Sequence, residues 1–369
     1  MPATILDNMR AIKKIDKSDM LSFCVDASRH YEKAAKQAQA FSIDIPKPDS
    51  IIVAGMGGSA IGGELLKDWA IDKITLPIEV CREYSLPAYV NKDSLVFVVS
   101  YSGETEESLS VFLEAIKRKC MIVCISSGGI LHEFAEKLAI PCLRVPSGMA
   151  PRATLPYLFI PLTVLLEKID LISKVDSEIS ETIKVLKEVS EVNSPNQPFN
   201  ANFCKKLASD ICGTIPVVYG FGFYRAVAQR FKTQFNENSK VPAKWEFFPE
   251  LNHNEIVGWE GVQKLAKCFS AIFIRDNNAP TVMQQRIATT KDLIHKASVK
   301  TFEVHSVGKS RLSKMASVIC MGDFTSVYLA ILREIDPTPV KTISSLKERI
   351  KQSGVKEKVV RELRKIARK

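Results

Sequence analysis

The sequence predicts an α/β protein of two related lobes, each a parallel sheet covered by helices. Three observations predict it. Short apolar runs alternate with segments of helical periodicity, the pattern of parallel sheets. Two stretches, IIVAGMGGSAIGGELLKDW from Ile51 and PVVYGFGFYRAVAQRFKTQF from Pro216, both run strand, Gly-x-Gly, helix. Gly55 and Gly57 of the first are answered by Gly220 and Gly222 of the second, so the plan is repeated. Residues 95–99 form an unbroken apolar run of the kind buried on both faces. At 369 residues the chain is too long for one core and fits two domains.

In chain order, residues 1–45 read as a helical leader, with Ala11, Ile12, Met20, Phe23 and Tyr31 set among charges. Pro46 and Pro48 end it. Strands are expected at 50–54, 78–81, 95–99, 121–125 and 142–145. Helices are expected from the glycine-rich loop to Trp69, at 105–117 and at 131–138. The strongly apolar residues 156–166 read as a buried helix closing the first lobe. A charged helix at 177–190 and the polar stretch Ser194-Pro195-Asn196-Gln197-Pro198 lead to the second lobe, with strands at 216–219 and 270–274 and a helix from Thr281. The resulting divisions are a leader at 1–45, a first domain at 46–170, a helical linker at 171–200, a second domain at 201–335 and a basic helical segment at 336–369.

Composition bounds the function classes. The chain is 46% hydrophobic and 25% charged, as globular proteins are. No apolar stretch follows a basic N-terminal region and no apolar run reaches membrane length, so a cytoplasmic protein without a membrane partner is expected. The nine cysteines form no Cys-x-x-Cys pair, and Cys124, Cys268 and Cys320 sit in apolar runs. Buried, reduced thiols are expected, and no zinc site. Of the net charge of +10, residues 341–369 carry +8, from eleven Lys or Arg against Glu348, Glu357 and Glu362. Val359, Val360, Leu363 and Ile366 there recur at helical spacing. With no aromatic residue to stack on bases, the segment reads as a solvated helix face, and no nucleic-acid partner is expected.

The function turns on Ser100-Tyr101-Ser102-Gly103-Glu104-Thr105, between the 95–99 run and a helix marked by Leu109, Phe112, Leu113 and Ile116. The free N–H groups of a first helical turn and the helix dipole favour an anion, and three hydroxyls add donors. Gly103 lets the backbone turn tightly beside a ligand. Capping the helix needs one hydroxyl, and this turn supplies three, so a phosphate is expected here.

A rival motif precedes it. Gly55-Met56-Gly57-Gly58-Ser59-Ala60 satisfies the relaxed G-x-G-x-x-G/A dinucleotide pattern, and Glu79 falls where a ribose-binding acid belongs. An NAD-dependent dehydrogenase is therefore an alternative. The hydroxyl-rich turn, which dinucleotide binding does not need, and the second Gly-x-Gly lobe count against it. No cofactor is expected. Further on, Glu237 lies between Asn236 and Asn238, whose amides could orient a base, and His253 lies in Pro249-Glu250-Leu251-Asn252-His253-Asn254-Glu255. A carboxylate and an imidazole in one short stretch fit a general base and a general acid. His30, His132, His295 and His305 read as capping or solvated side chains. With no acid–His ligand spacing, no metal is expected.

The strings GMGGSAIGG, SYSGETEESL, MAPRATLPYLF, QFNENSKVPA and ELNHNEIVGW resemble those of the bifunctional phosphoglucose/phosphomannose isomerases of archaea and bacteria. These belong to the phosphoglucose isomerase superfamily, built from two sugar isomerase (SIS) domains. The resemblance implies two flavodoxin-like SIS domains with a C-terminal helix. It also implies that glucose 6-phosphate and mannose 6-phosphate are interconverted with fructose 6-phosphate through a cis-enediol, by a homodimer that uses no metal.

The resemblance further implies that Ser100, Ser102 and Thr105 hold the phosphate and that Gly58 and Ser59 line the same pocket, so the glycine-rich loop serves a sugar phosphate. Arg152 is implied beside the C1 and C2 oxygens, and Glu237 as the base that moves a proton between these carbons. His253 is implied as an aid to ring opening, reaching the site from the partner subunit. A C-terminal lysine completes the implied set, Lys347 or else Lys341. Thr338 and its proline-rich loop are expected to bear on the acceptance of both epimers. The basic segment after residue 352 is longer than the family usually carries, and could cover a neighbouring surface. A SIS module that binds a phosphosugar without turning it over is the other alternative. The joint presence of Glu237, His253, Arg152 and a C-terminal lysine argues against it, since a sensor needs only the phosphate loop.

Overall fold

The computed structural model describes residues 5–261 and 264–368. The chain divides into two compact units, one of His30–Val175 with Val340–Lys369, the other of Met1–Arg29 with Asp176–Pro339. The leader forms α1 (Met9–Ile15), α2 (Met20–Val25) and α3 (Ala27–Ala40). The elements that follow in the first unit are β1 (Ser50–Ala54), α4 (Gly58–Trp69), β2 (Ile78–Cys81), β3 (Ser94–Val99), α5 (Glu106–Lys117), β4 (Met121–Ser126), α6 (Gly129–Lys137), β5 (Cys142–Arg144) and α7 (Leu155–Lys168). All five strands pair in parallel, in the order β2-β1-β3-β4-β5. β1 and β3 are buried at every position, which is why they read as uninterrupted apolar runs, whereas β2 at the edge is partly open. α7 is buried from Leu155 through Leu166, as its composition predicts.

The second unit continues with α8 (Asp176–Val192), α9 (Phe203–Ile211), β6 (Ile215–Phe221), α10 (Arg225–Gln234), β7 (Lys244–Phe248), β8 (Phe269–Arg275), α11 (Thr281–Lys296), β9 (Lys300–His305) and α12 (Arg311–Leu332). Its sheet is parallel, in the order β7-β6-β8-β9. That is the order of the first sheet without a fifth strand, the topological form of the repeat read from the Gly-x-Gly segments. The sequence reading passed over β7 and β9. Both are half-open edge strands interrupted by charge, Glu246 in one and Glu303 in the other, and so lack the continuous apolar signal of a central strand.

Two expectations need correction. α12 is long and apolar enough to cross a membrane by length and composition, although no run of that length was expected; 89% of its apolar window is buried, making it the core helix of this unit. All nine cysteines are free, and Cys24, Cys81, Cys124, Cys204 and Cys320 are buried, but Cys212 and Cys268 are exposed. Cys268 precedes β8, outside the stretch that the sheet covers.

The chain ends in α13 (Lys341–Ile350) and α14 (Val355–Ile366). α14 places Val359 and Leu363 in the first unit's core with Leu109 and Phe112 of α5, and Val360 and Ile366 pack beside them. Its basic face is solvated, while its apolar face completes a hydrophobic core.

Candidate active site

In the first sheet the chain leaves β1 toward β2 on one side and leaves the adjacent β3 toward β4 on the other. The crevice between two such exits, at the carboxyl ends of the strands, is where open parallel sheets bind ligands. The loop at residues 55–57 and the turn at residues 100–105 border it. They are packed backbone to backbone: a Cβ added to Gly55 would lie 2.8 Å from Val99 O. Tyr101 N donates to Ser59 Oγ at 3.4 Å.

The turn is held from behind. Ser100 is buried; its N–H donates to Ile125 O, and its O accepts from Gly103 N, both at 3.0 Å. Gly103 has φ +67°, and a Cβ there would collide with Gly128 O, so the glycine is required twice over. Ser127 donates to Tyr101 O from both its N–H (2.9 Å) and its hydroxyl (2.6 Å). Thr105 takes the N-cap position of α5, yet its side chain caps no amide. Its Oγ1 lies instead 3.2 Å from Ser100 Oγ. Ser102 is exposed, and its Oγ accepts from Glu104 N at 3.2 Å. Glu104 Oε1 accepts from Ile130 N at 3.0 Å, and its Oε2 pairs with Lys356 of α14.

Arg152 joins this group. It lies on the 3-10 turn Pro151–Thr154 and is only 2% exposed. That turn presses on the start of α4: a Cβ added to Gly58 would stand 3.0 Å from Pro151 O and 3.6 Å from Arg152 Cα. The preceding segment is tied to the turn at residues 100–105 through Met149 N, which donates to the Tyr101 hydroxyl at 2.9 Å. The first unit therefore gathers Gly58, Ser59, Ser100, Ser102, Thr105 and Arg152 around neighbouring loops. Tyr101, Ser126, Ser127 and Gly128 were missed as supports; the Ser126-Ser127-Gly128-Gly129 string at the end of β4 is the signal for the last three.

Glu237 belongs to the second unit. It sits half-buried in a single π-helical turn, Phe235–Ser239, a local distortion common at functional sites. Lys240, at φ +52°, closes the turn; its Nζ donates to Glu237 O and to Pro337 O, each at 2.7 Å. Asn236 Nδ2 donates to Val241 O (2.9 Å), Asn238 Nδ2 to Ser326 Oγ (2.9 Å) and Ser239 Oγ to Ser326 O (2.6 Å). The flanking amides thus anchor the backbone that carries Glu237. His253, in the same unit, is exposed at the end of the 3-10 turn Glu250–His253. Two residues on, Glu255 Oε1 accepts from the Tyr219 hydroxyl at 2.6 Å, and Trp259 Nε1 donates to the same Tyr219 oxygen at 3.2 Å. Burial pushes the Glu255 carboxyl pKa up, against the Tyr219 bond, which lowers it. Lys347 and Lys341 are both exposed on α13, assigned to the first unit.

A parallel α/β unit with a hydroxyl-lined turn at its strand switch point defines a class of proteins built to take an anionic ligand there. Residues 200–350 match the family model described as the bacterial phospho-glucose isomerase C-terminal SIS domain. A bifunctional phosphoglucose/phosphomannose isomerase of Caldicellulosiruptor bescii is 41% identical over 86% of this chain and 95% of its own length. Its counterpart in Aquifex aeolicus is 35% identical over 84% and 92%. Among solved structures, a glucose-6-phosphate isomerase like protein from Thermus thermophilus superposes with a TM-score of 0.64 at 16% identity, over 91% of this chain and 98% of that one, a likeness of fold. The chain belongs to the bifunctional phosphoglucose/phosphomannose isomerase family.

Proposed function

We propose that the chain interconverts glucose 6-phosphate and mannose 6-phosphate with fructose 6-phosphate through a cis-enediol intermediate. The observation that carries this reading is the turn at residues 100–105, whose paired hydroxyls and side-chain-uncapped helix start meet at the carboxyl edge of a parallel sheet; family membership supports it. Ser100, Ser102 and Thr105 take the phosphate oxygens, with Gly58 and Ser59 beside them. The phosphate is remote from the reacting carbons, so its binding energy is available to position them.

Isomerisation moves one proton from C2 to C1 and one hydroxyl proton from O2 to O1. Glu237 takes the C2 proton and returns it to C1, which a single carboxylate does if the sugar is held still. Arg152 stabilises the enediolate oxygen as charge develops there. His253 assists ring opening and is supplied by the partner subunit of a homodimer, and Lys347, or Lys341 in its stead, completes the set. The reading makes the enzyme metal-independent and cytoplasmic, acting in glycolysis and gluconeogenesis.

One coupled assay tests it: purified protein with EDTA and no NAD, given each aldose phosphate in turn, with fructose 6-phosphate as the readout. Production from both sugars is expected. Turnover of neither would remove the reading, and tight binding without turnover would favour a phosphosugar-binding module. Light scattering reports the dimer.

A further inference from the structure

Besides the groups assigned above, four side chains of the first unit form a constellation that the isomerase reading does not use. Cys124 of β4 and Cys142 of β5 are Cα partners across a parallel pair. Neighbouring strands lie about 4.8 Å apart, within the Cα separation that a disulfide spans. His132 Nδ1 lies 3.4 Å from Cys142 Sγ, and His132 Nε2 lies 3.2 Å from Glu136 Oε1, one helical turn along α6. Nucleophile, base and a third group that orients the base is the arrangement that activates a thiol. Cys124 is fully buried and Cys142 is half-buried at the sheet edge, so a small reagent meets Cys142 first.

We propose that Cys142 is a peroxide-reactive thiol, with His132 as its base and Glu136 orienting that base, and that Cys124 resolves its oxidised form to a disulfide joining β4 and β5. The Cys142 thiolate attacks one oxygen of a hydroperoxide and the O–O bond breaks. The leaving oxygen departs as water or an alcohol with the proton that His132 took from the thiol. Sulfur, oxidised by two electrons, is left as the sulfenic acid. Cys124 sulfur then attacks it, the S–O bond breaks, and hydroxide leaves as water with the Cys124 proton. Two thiols and one hydroperoxide thus give one disulfide and two molecules of water, or one each of water and alcohol.

The protonation balance supports the division of roles. The Cys142 pKa is held down to about 7, chiefly by the hydrogen bond from Cys124, with His132 adding to it against burial and Glu136. Burial pushes the Cys124 thiol well up.

The test needs no substitution to begin. With limiting iodoacetamide at pH 7, Cys142 should be alkylated about tenfold faster than the exposed Cys212 and Cys268, as a lowered thiol pKa predicts. Hydrogen peroxide should give a cross-linked tryptic pair holding Cys124 and Cys142, which cleavage after Lys137 otherwise separates. In Cys124→Ser, dimedone should trap the sulfenic acid at Cys142. His132→Gln should slow Cys142 alkylation about tenfold while leaving Cys212 and Cys268 unchanged. Alkylation of Cys142 no faster than that of Cys212 and Cys268, or peroxide treatment that oxidises other thiols without linking Cys124 to Cys142, would overturn the proposal.

Discussion

The Ser100 hydroxyl lies 3.2 Å from the Thr105 hydroxyl, while Thr105, at the N-cap of α5, bonds none of that helix's amides. The two hydroxyls face each other, and the helix takes no side-chain cap bond from Thr105. Thr105→Val is therefore expected to raise the KM for glucose 6-phosphate about tenfold to a hundredfold, the worth of one hydrogen bond to a charged group. Because no cap bond is lost, the melting temperature should hardly move. Steady-state kinetics beside a thermal melt reads both; a large drop in melting temperature with unchanged KM would make Thr105 a structural cap after all.

Gly103→Ala is a backbone test of the same turn. A side chain at φ +67° that collides with Gly128 O forces the turn to open. Phosphosugar binding should be lost, with a destabilisation of about 1–3 kcal/mol measured by chemical denaturation. Wild-type binding in this variant would show that the turn tolerates rearrangement.

The C-terminal helix α14 reaches the turn at residues 100–105 through Lys356, which pairs with the Glu104 carboxylate. Removing that lysine leaves a negative charge facing an incoming phosphate. Lys356→Met is expected to raise KM about two- to fivefold at low salt, an effect that shrinks at high salt as screening sets in. Adding Glu104→Gln should return KM toward the wild-type value. If the double variant binds no better than Lys356→Met, the lysine acts through packing of α14 instead.

What could be read from sequence was what is local. The turn at residues 100–105 is six consecutive residues, and β1 and β3, which lead into it and into the glycine-rich loop, are buried along their whole length, so their apolar runs announce them. The π turn under Glu237 was not readable, because its anchors, Ser326 and Pro337, come from far along the chain. The amides of Asn236 and Asn238, read as orienting the carboxylate, donate to Val241 O, five residues on, and to Ser326 Oγ, far along the chain. The role of α14 was half visible. Its apolar stripe predicted a helix, but only the fold shows Val359 and Leu363 inside a core.

Glu255 supplies a pH dependence with a definite sign. Burial raises its carboxyl pKa above the ordinary value of 4.5. An acid raised in this way favours folding below its unfolded pKa, and that contribution is lost as pH rises through the folded one. The wild-type protein should therefore lose this increment of stability on going from pH 4.5 upward, and Glu255→Gln should remove it. Denaturation midpoints at pH 4.5 and 7.5 for both proteins test this; an identical pH difference in the two would contradict it.

The central claim is that Glu237 moves the proton, and the variant Glu237→Gln tests it most directly. Turnover of glucose 6-phosphate should fall by at least about a hundredfold to ten-thousandfold, the contribution of a positioned base, while calorimetric affinity for fructose 6-phosphate stays near that of the wild type. Turnover at the wild-type rate in Glu237→Gln would contradict the claim.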